Sequence, residues 1–117
     1  MTITNEPLLD EFRSAGICEW CKRPALVRHP HHVFTRGAGR LDIRIVLVGL
    51  CPGCHTEAHA GNIMRTDLLA VIAAREGVVQ DEIEAAVWVL RHPEREFSLS
   101  PTVARLVREA TEVEFTY

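Results

Sequence analysis

Four cysteines and four histidines in this chain are spaced to hold metal. Cys18 and Cys21 form one C-x2-C pair, and Cys51 and Cys54 form a second, with 29 residues between the pairs. A pair of this spacing grips an ion from one tight turn, and two pairs complete a tetrahedral four-thiolate site of the structural zinc type. Such an ion contributes about 10 kcal/mol or more of folding free energy at neutral pH. A redox dithiol at CPGC is the weaker reading, because no βαβ frame surrounds it and a second pair lies upstream.

The histidines carry a different chemistry. His55 and His59 are one helical turn apart, so both rings share a face. His31 and His32 are consecutive, so they project in different directions from a strand, and one can bind metal while the other stays free as a base. Three neutral imidazoles leave coordination positions open for water and a phosphate oxygen, as a catalytic site requires. HTEAH is not the metalloprotease pattern, because Thr56 rather than Glu follows the first His. Arg36, Arg40 and Arg44 are candidates for backbone phosphates, and Gly37 and Gly39 let the loop approach closely.

The elements that must position these groups can be read along the chain. Residues 7–15 form a short helix with Leu8, Leu9 and Phe12 on its apolar face, stopped by Gly16. Residues 24–35 are extended, 36–40 a glycine-rich loop, and 43–50 the strongest strand. His55 opens a short helix that Gly61 ends. Three ordinary helices follow, over 67–76 with Thr66 as its cap, 80–92, and 101–110 after Ser100 and Pro101. The last residues, EVEFTY, suit an edge strand or a docking tail.

Composition sets the outer limits. The 117 residues suit one domain of ordinary size, and no apolar run reaches membrane-spanning length. The acidic start lacks a signal peptide's basic and apolar regions, which implies a cytoplasmic protein, or one in host cytoplasm if phage-encoded. The net charge of −3 is unevenly spread: residues 22–65 hold seven Lys/Arg against two acids, whereas 66–117 hold five against ten. A basic stretch around the Cys and His residues can draw phosphate even in a mildly acidic chain.

HHVFTRGAGR, then a strand, then LCPGCHTEAH resembles the HNH endonuclease family in its zinc-bearing, four-cysteine branch. The likeness covers roughly residues 18–61, and the setting is similar to small phage-type nucleases. It implies an α+β fold: a ββα-metal, treble-clef-like zinc core over residues 1–65, followed by a helical extension over 66–117. It implies that His31, His55 and His59 hold a catalytic divalent ion (Mg2+, Mn2+, Ni2+ or Zn2+) and that His32 is the general base. Cys18, Cys21, Cys51 and Cys54 would hold structural Zn2+. The activity implied is DNA hydrolysis to 5′-phosphate and 3′-hydroxyl ends with little sequence specificity. A homodimer is the partner suggested by architecture, and neither a membrane nor a small-molecule cofactor is expected.

One position departs from the family. Its middle Asn, which braces the loop after the base, falls at Val46, and Asp42 from the loop is a poor substitute. The departure motivates the alternative reading, a non-catalytic zinc module that binds nucleic acid or protein.

Overall fold

The computed structural model describes residues 2–34 and 39–112. Arg36, Gly37 and the tail 113–117 lie outside the described residues, so the phosphate role expected for Arg36 and the edge strand or tail expected of EVEFTY do too. The fold is α+β, with five α-helices and two small antiparallel sheets among the described residues.

Helix α1 spans Glu6–Arg13. Asn5 caps it by accepting the Leu8 N–H through its side chain at 3.1 Å, and Pro7 sits in the first turn, where no N–H is missed. At its far end Arg28 closes the helix. Its guanidinium donates to the carbonyls of Glu11, Ser14 and Ile17 at 3.1, 2.9 and 3.3 Å. Gly16 and Gly49 flank that guanidinium so closely that an added Cβ would stand 3.2 Å from it at either position.

Strands β1 (Gly16–Ile17) and β2 (Pro24–Ala25) pair across the first cysteine turn. Strand β3 (His29–His32) pairs antiparallel with β4 (Leu47–Leu50), setting His31 opposite Val48 and His32 opposite Leu47. The ladder extends by one more bond, from the Val33 N–H to the Val46 carbonyl at 2.8 Å. The strand expected over 43–50 is therefore shorter, because residues Arg44–Val46 coil into a 3-10 turn closed by the Val46 N–H on the Ile43 carbonyl. The apolar run is continuous because both faces of this stretch are buried, whichever backbone shape it takes.

Helix α2 spans Pro52–His59, three residues earlier than the expected start, because Cys51 itself is the cap and Pro52 the first helical residue. Gly61, at φ 84°, closes it in the left-handed region. Helices α3 (Arg65–Glu76), α4 (Gln80–Arg91) and α5 (Pro101–Thr111) complete the chain. Thr66 lies inside α3 and is not its cap. The free N–H at the helix start, on Met64, is taken instead by the Asp67 carboxylate at 3.1 Å.

Buried apolar residues form one cluster from Leu9 to Ala110, so the metal-ligand half and the helical half share a core. Leu47, Val48 and Leu50 are fully buried at its centre, each contributing about 2 kcal/mol. Arg75 of α3 ties the halves together. It pairs with Glu19 at 2.9 Å and donates to the carbonyls of Leu47 and Arg44. Among the described residues, no helix is long and apolar enough to cross a membrane.

Candidate metal centres

The first cysteine turn has little packing of its own. Between Arg13 and His32, Cys18 is the one buried residue, whereas Leu26 is 90% exposed and Val27 56%. The turn is closed by hydrogen bonds from Lys22 N–H to the Cys18 carbonyl and from Cys18 N–H to the Arg23 carbonyl, at 3.0 and 2.9 Å. Lys22 takes φ 65°, a left-handed conformation that an L side chain adopts at a cost of about 1 kcal/mol or more unless its surroundings hold it. A link between Glu19 and Gly49, each N–H serving the other residue, fastens this turn to β4.

The second turn is built by the start of α2. Cys51 Sγ accepts the Cys54 N–H at 3.4 Å, and the His55 N–H returns to the Cys51 carbonyl at 2.9 Å. Free N–H groups at a helix start favour negative charge on sulfur. The four Sγ atoms of Cys18, Cys21, Cys51 and Cys54 lie within 4.8 Å of one another, with Cys18 buried and the others half-buried. Four sulfurs at about 2.3 Å from one ion would stand about 3.8 Å apart. The Sγ atoms of Cys21 and Cys51 are 3.9 Å apart. None of the four is in a disulfide. The four cysteines therefore fit a structural metal site.

The thiols also differ in proton affinity. Burial raises the Cys18 pKa, but hydrogen bonds from the backbone of Cys51, Cys21 and Trp20 outweigh it and draw the group down to about 6. Cys54 is pushed well up, first by burial and then by the three neighbouring sulfurs. Protons are therefore unevenly shared within the cluster, and a cation among the sulfurs would favour the thiolate form of all four.

The histidine cluster shares α2 with the sulfur site. His31, His55 and His59 offer nitrogens that all lie within 4.8 Å of one another. His55 Nε2 and His59 Nε2 are 3.0 Å apart, and the His31 ring centroid is 5.4 and 5.2 Å from theirs. Two nitrogens at about 2.1 Å from one ion, at a right angle, would stand about 3.0 Å apart, which is the spacing of His55 and His59, and His31 offers a third nitrogen within 4.8 Å. His31 is pushed down to about 4, mainly by burial and then by the neighbouring imidazoles of His55, His59 and His32. His55 is lowered by burial and then by His59 and His29. Both rings are thus neutral at neutral pH, the form that ligates.

His29 belongs to this cluster and escaped the sequence reading. Its Nδ1 lies 2.8 Å from His55 Nδ1. Where His55 is the donor, carrying its hydrogen on Nδ1, its Nε2, which faces His59, keeps the lone pair that ligates. The signal was the alternation His29-x-His31, because residues two apart on a strand share a face.

His32, next along β3, points the other way. Its Nε2 is 2.8 Å from Asp42 Oδ1. Asp42 is the one buried charged residue among those described, and Arg40 embraces it with two bonds of 2.9 Å. Arg44 pairs with Glu11 and lies over the Phe12 ring. Two of the three arginines expected on phosphate thus already hold carboxylates. Val46, where an Asn was sought, is 1% exposed and packed in the core.

Compared with family models, with curated proteins and with solved structures, the chain matches none.

Proposed function

We propose that the protein is a metal-dependent DNA endonuclease of the HNH type, with zinc held by Cys18, Cys21, Cys51 and Cys54. The observation that carries the reading is the placing of His31, His55 and His59 around one point on β3 and α2, with His32 the next residue of β3 and its ring held by Asp42. His31, His55 and His59 would hold a divalent ion. That ion would supply positive charge for the phosphate oxygens and for the leaving 3′ oxygen as charge develops. His32 accepts a proton from the attacking water as the water oxygen bonds to phosphorus. The bond from phosphorus to the 3′ oxygen breaks, leaving 5′-phosphate and 3′-hydroxyl ends once that oxygen is protonated. The cysteine cluster fixes the first turn of α2 and so the direction of His55.

A second reading, a non-catalytic zinc module that binds nucleic acid or protein, has its own support. Val46 offers no bracing side chain, and Arg40 and Arg44 are engaged with acids. Incubation of zinc-loaded protein with supercoiled plasmid and Mg2+, Mn2+, Ni2+ or Zn2+ separates the two. The nuclease reading expects nicking that His32→Ala reduces by about 100-fold or more. DNA binding without nicking under any of these metals would leave the second reading in its place.

A further inference from the structure

We propose that Asp42 is a positioning residue that holds His32 in its Nε2–H tautomer, so that Nδ1 is the proton-accepting nitrogen. The inference rests on the nuclease reading for its use, but not for its geometry.

The two oxygens of Asp42 receive four donors. Oδ1 faces His32 Nε2 at 2.8 Å and Arg40 Nε at 2.9 Å. Oδ2 faces the Asn5 N–H and Arg40 Nη2, both at 2.9 Å. Burial works against ionisation here, but the bonds from Arg40, Asn5 and His32 more than offset it, and the Asp42 pKa lies below its ordinary value. An ionised carboxylate only accepts. His32 Nε2 must therefore carry the hydrogen, which leaves the lone pair on Nδ1. That nitrogen has no hydrogen-bond partner among the described residues, and the His32 side chain keeps 16% of its surface exposed.

The carboxylate is itself held in place. Ile3 donates its N–H to the Arg40 carbonyl at 2.9 Å and accepts the Asp42 N–H at 2.8 Å, so the chain before α1 runs alongside residues 40–42. The Asn5 N–H completes this clasp from the start of α1, while the Asn5 side chain caps the same helix. Residues 40–42 are thus held by residues 3–5, and Val46 is packed in the core. Asp42, itself held by Arg40, acts on the tautomer and direction of His32.

Long-range 1H–15N correlation spectra of uniformly 15N-labelled, zinc-loaded protein read the tautomer of each imidazole directly. The expected result is His32 protonated on Nε2, and His32 protonated on Nδ1 would overturn the proposal. Asp42→Leu keeps the number and branching of the side-chain heavy atoms and removes the acceptor. Provided it still binds cobalt at the four thiolates, it should lose about 100-fold in kcat for plasmid nicking while KM stays within about 3-fold. An unchanged kcat would overturn the positioning role. If Asp42→Leu does not fold, the wild-type tautomer decides. If the wild type fails to cut with every one of Mg2+, Mn2+, Ni2+ and Zn2+, the nuclease reading falls, and the tautomer alone still decides whether Asp42 sets the ring.

Discussion

The cysteine cluster and the histidine cluster draw on one stretch of nine residues, Cys51 to His59, yet they are built on opposite plans. The thiols come from two turns that close on each other. They surround a point with Cys18 fully buried, and Cys18 is the one buried residue of the β1–β2 hairpin. The imidazoles come from a strand paired into the core and from α2, a helix with no buried residue whose first turn is set at the thiols. Strand β4, paired with β3, is buried along its whole length, and His59 is left exposed. The difference teaches where each ion's free energy would go. An ion among the sulfurs would make the fold, whereas one among the nitrogens would occupy a fold already made and keep positions open.

The largest effect that can break this comparison is loss of the thiolate ion. Chelation, or Cys51→Ala, should unfold residues 14–28 and lower overall stability by several kcal/mol. His59→Ala should leave the melting temperature within a few degrees. Thermal melts followed by circular dichroism distinguish these outcomes, and equal losses in both variants would erase the contrast. A smaller effect is expected at His29. His29→Ala removes the partner of His55 Nδ1. It should weaken divalent-metal binding at the histidines roughly 10- to 100-fold, with the thiolate site unchanged, as read by cobalt titration.

The smallest effect is on pH dependence. With the histidines free of metal, His31 titrates at about 4 in the folded chain against an ordinary 6.5. As pH falls, the unfolded chain takes up this proton first. His31 therefore favours folding fully above about 6.5, and that contribution is lost as pH drops towards 4. His31→Gln should flatten the fall in denaturant midpoint between those limits. An unaltered slope would place the titration elsewhere.

Spacing made the cysteine site legible, because two C-x2-C pairs have few other uses. The helices beyond Gly61 were legible from periodicity, with boundaries displaced where a cap was hidden. Asp67 rather than Thr66 closes the start of α3, and both are polar residues of the kind found there. The 3-10 turn at Arg44–Val46 was not legible, since a fully buried apolar run looks the same in either conformation. Asp42 was undervalued for a related reason. Its importance comes from Ile3 and Asn5, nearly forty residues away in sequence, and no local pattern records that clasp. The charge of the 22–65 segment misled in the same way. Arg28, Arg40 and Arg44 serve carbonyls and carboxylates within the protein, so the cations counted in sequence are not all available to a ligand.

One short segment, Cys51 to His59, would complete two metal sites of different kind. Anomalous diffraction from crystals grown with excess zinc tests it most directly. Two ions per chain are expected. One should lie about 2.3 Å from the sulfurs of Cys18, Cys21, Cys51 and Cys54, and one about 2.1 Å from nitrogens of His31, His55 and His59. A single ion among the sulfurs, with the histidines bare at saturating metal, would contradict it.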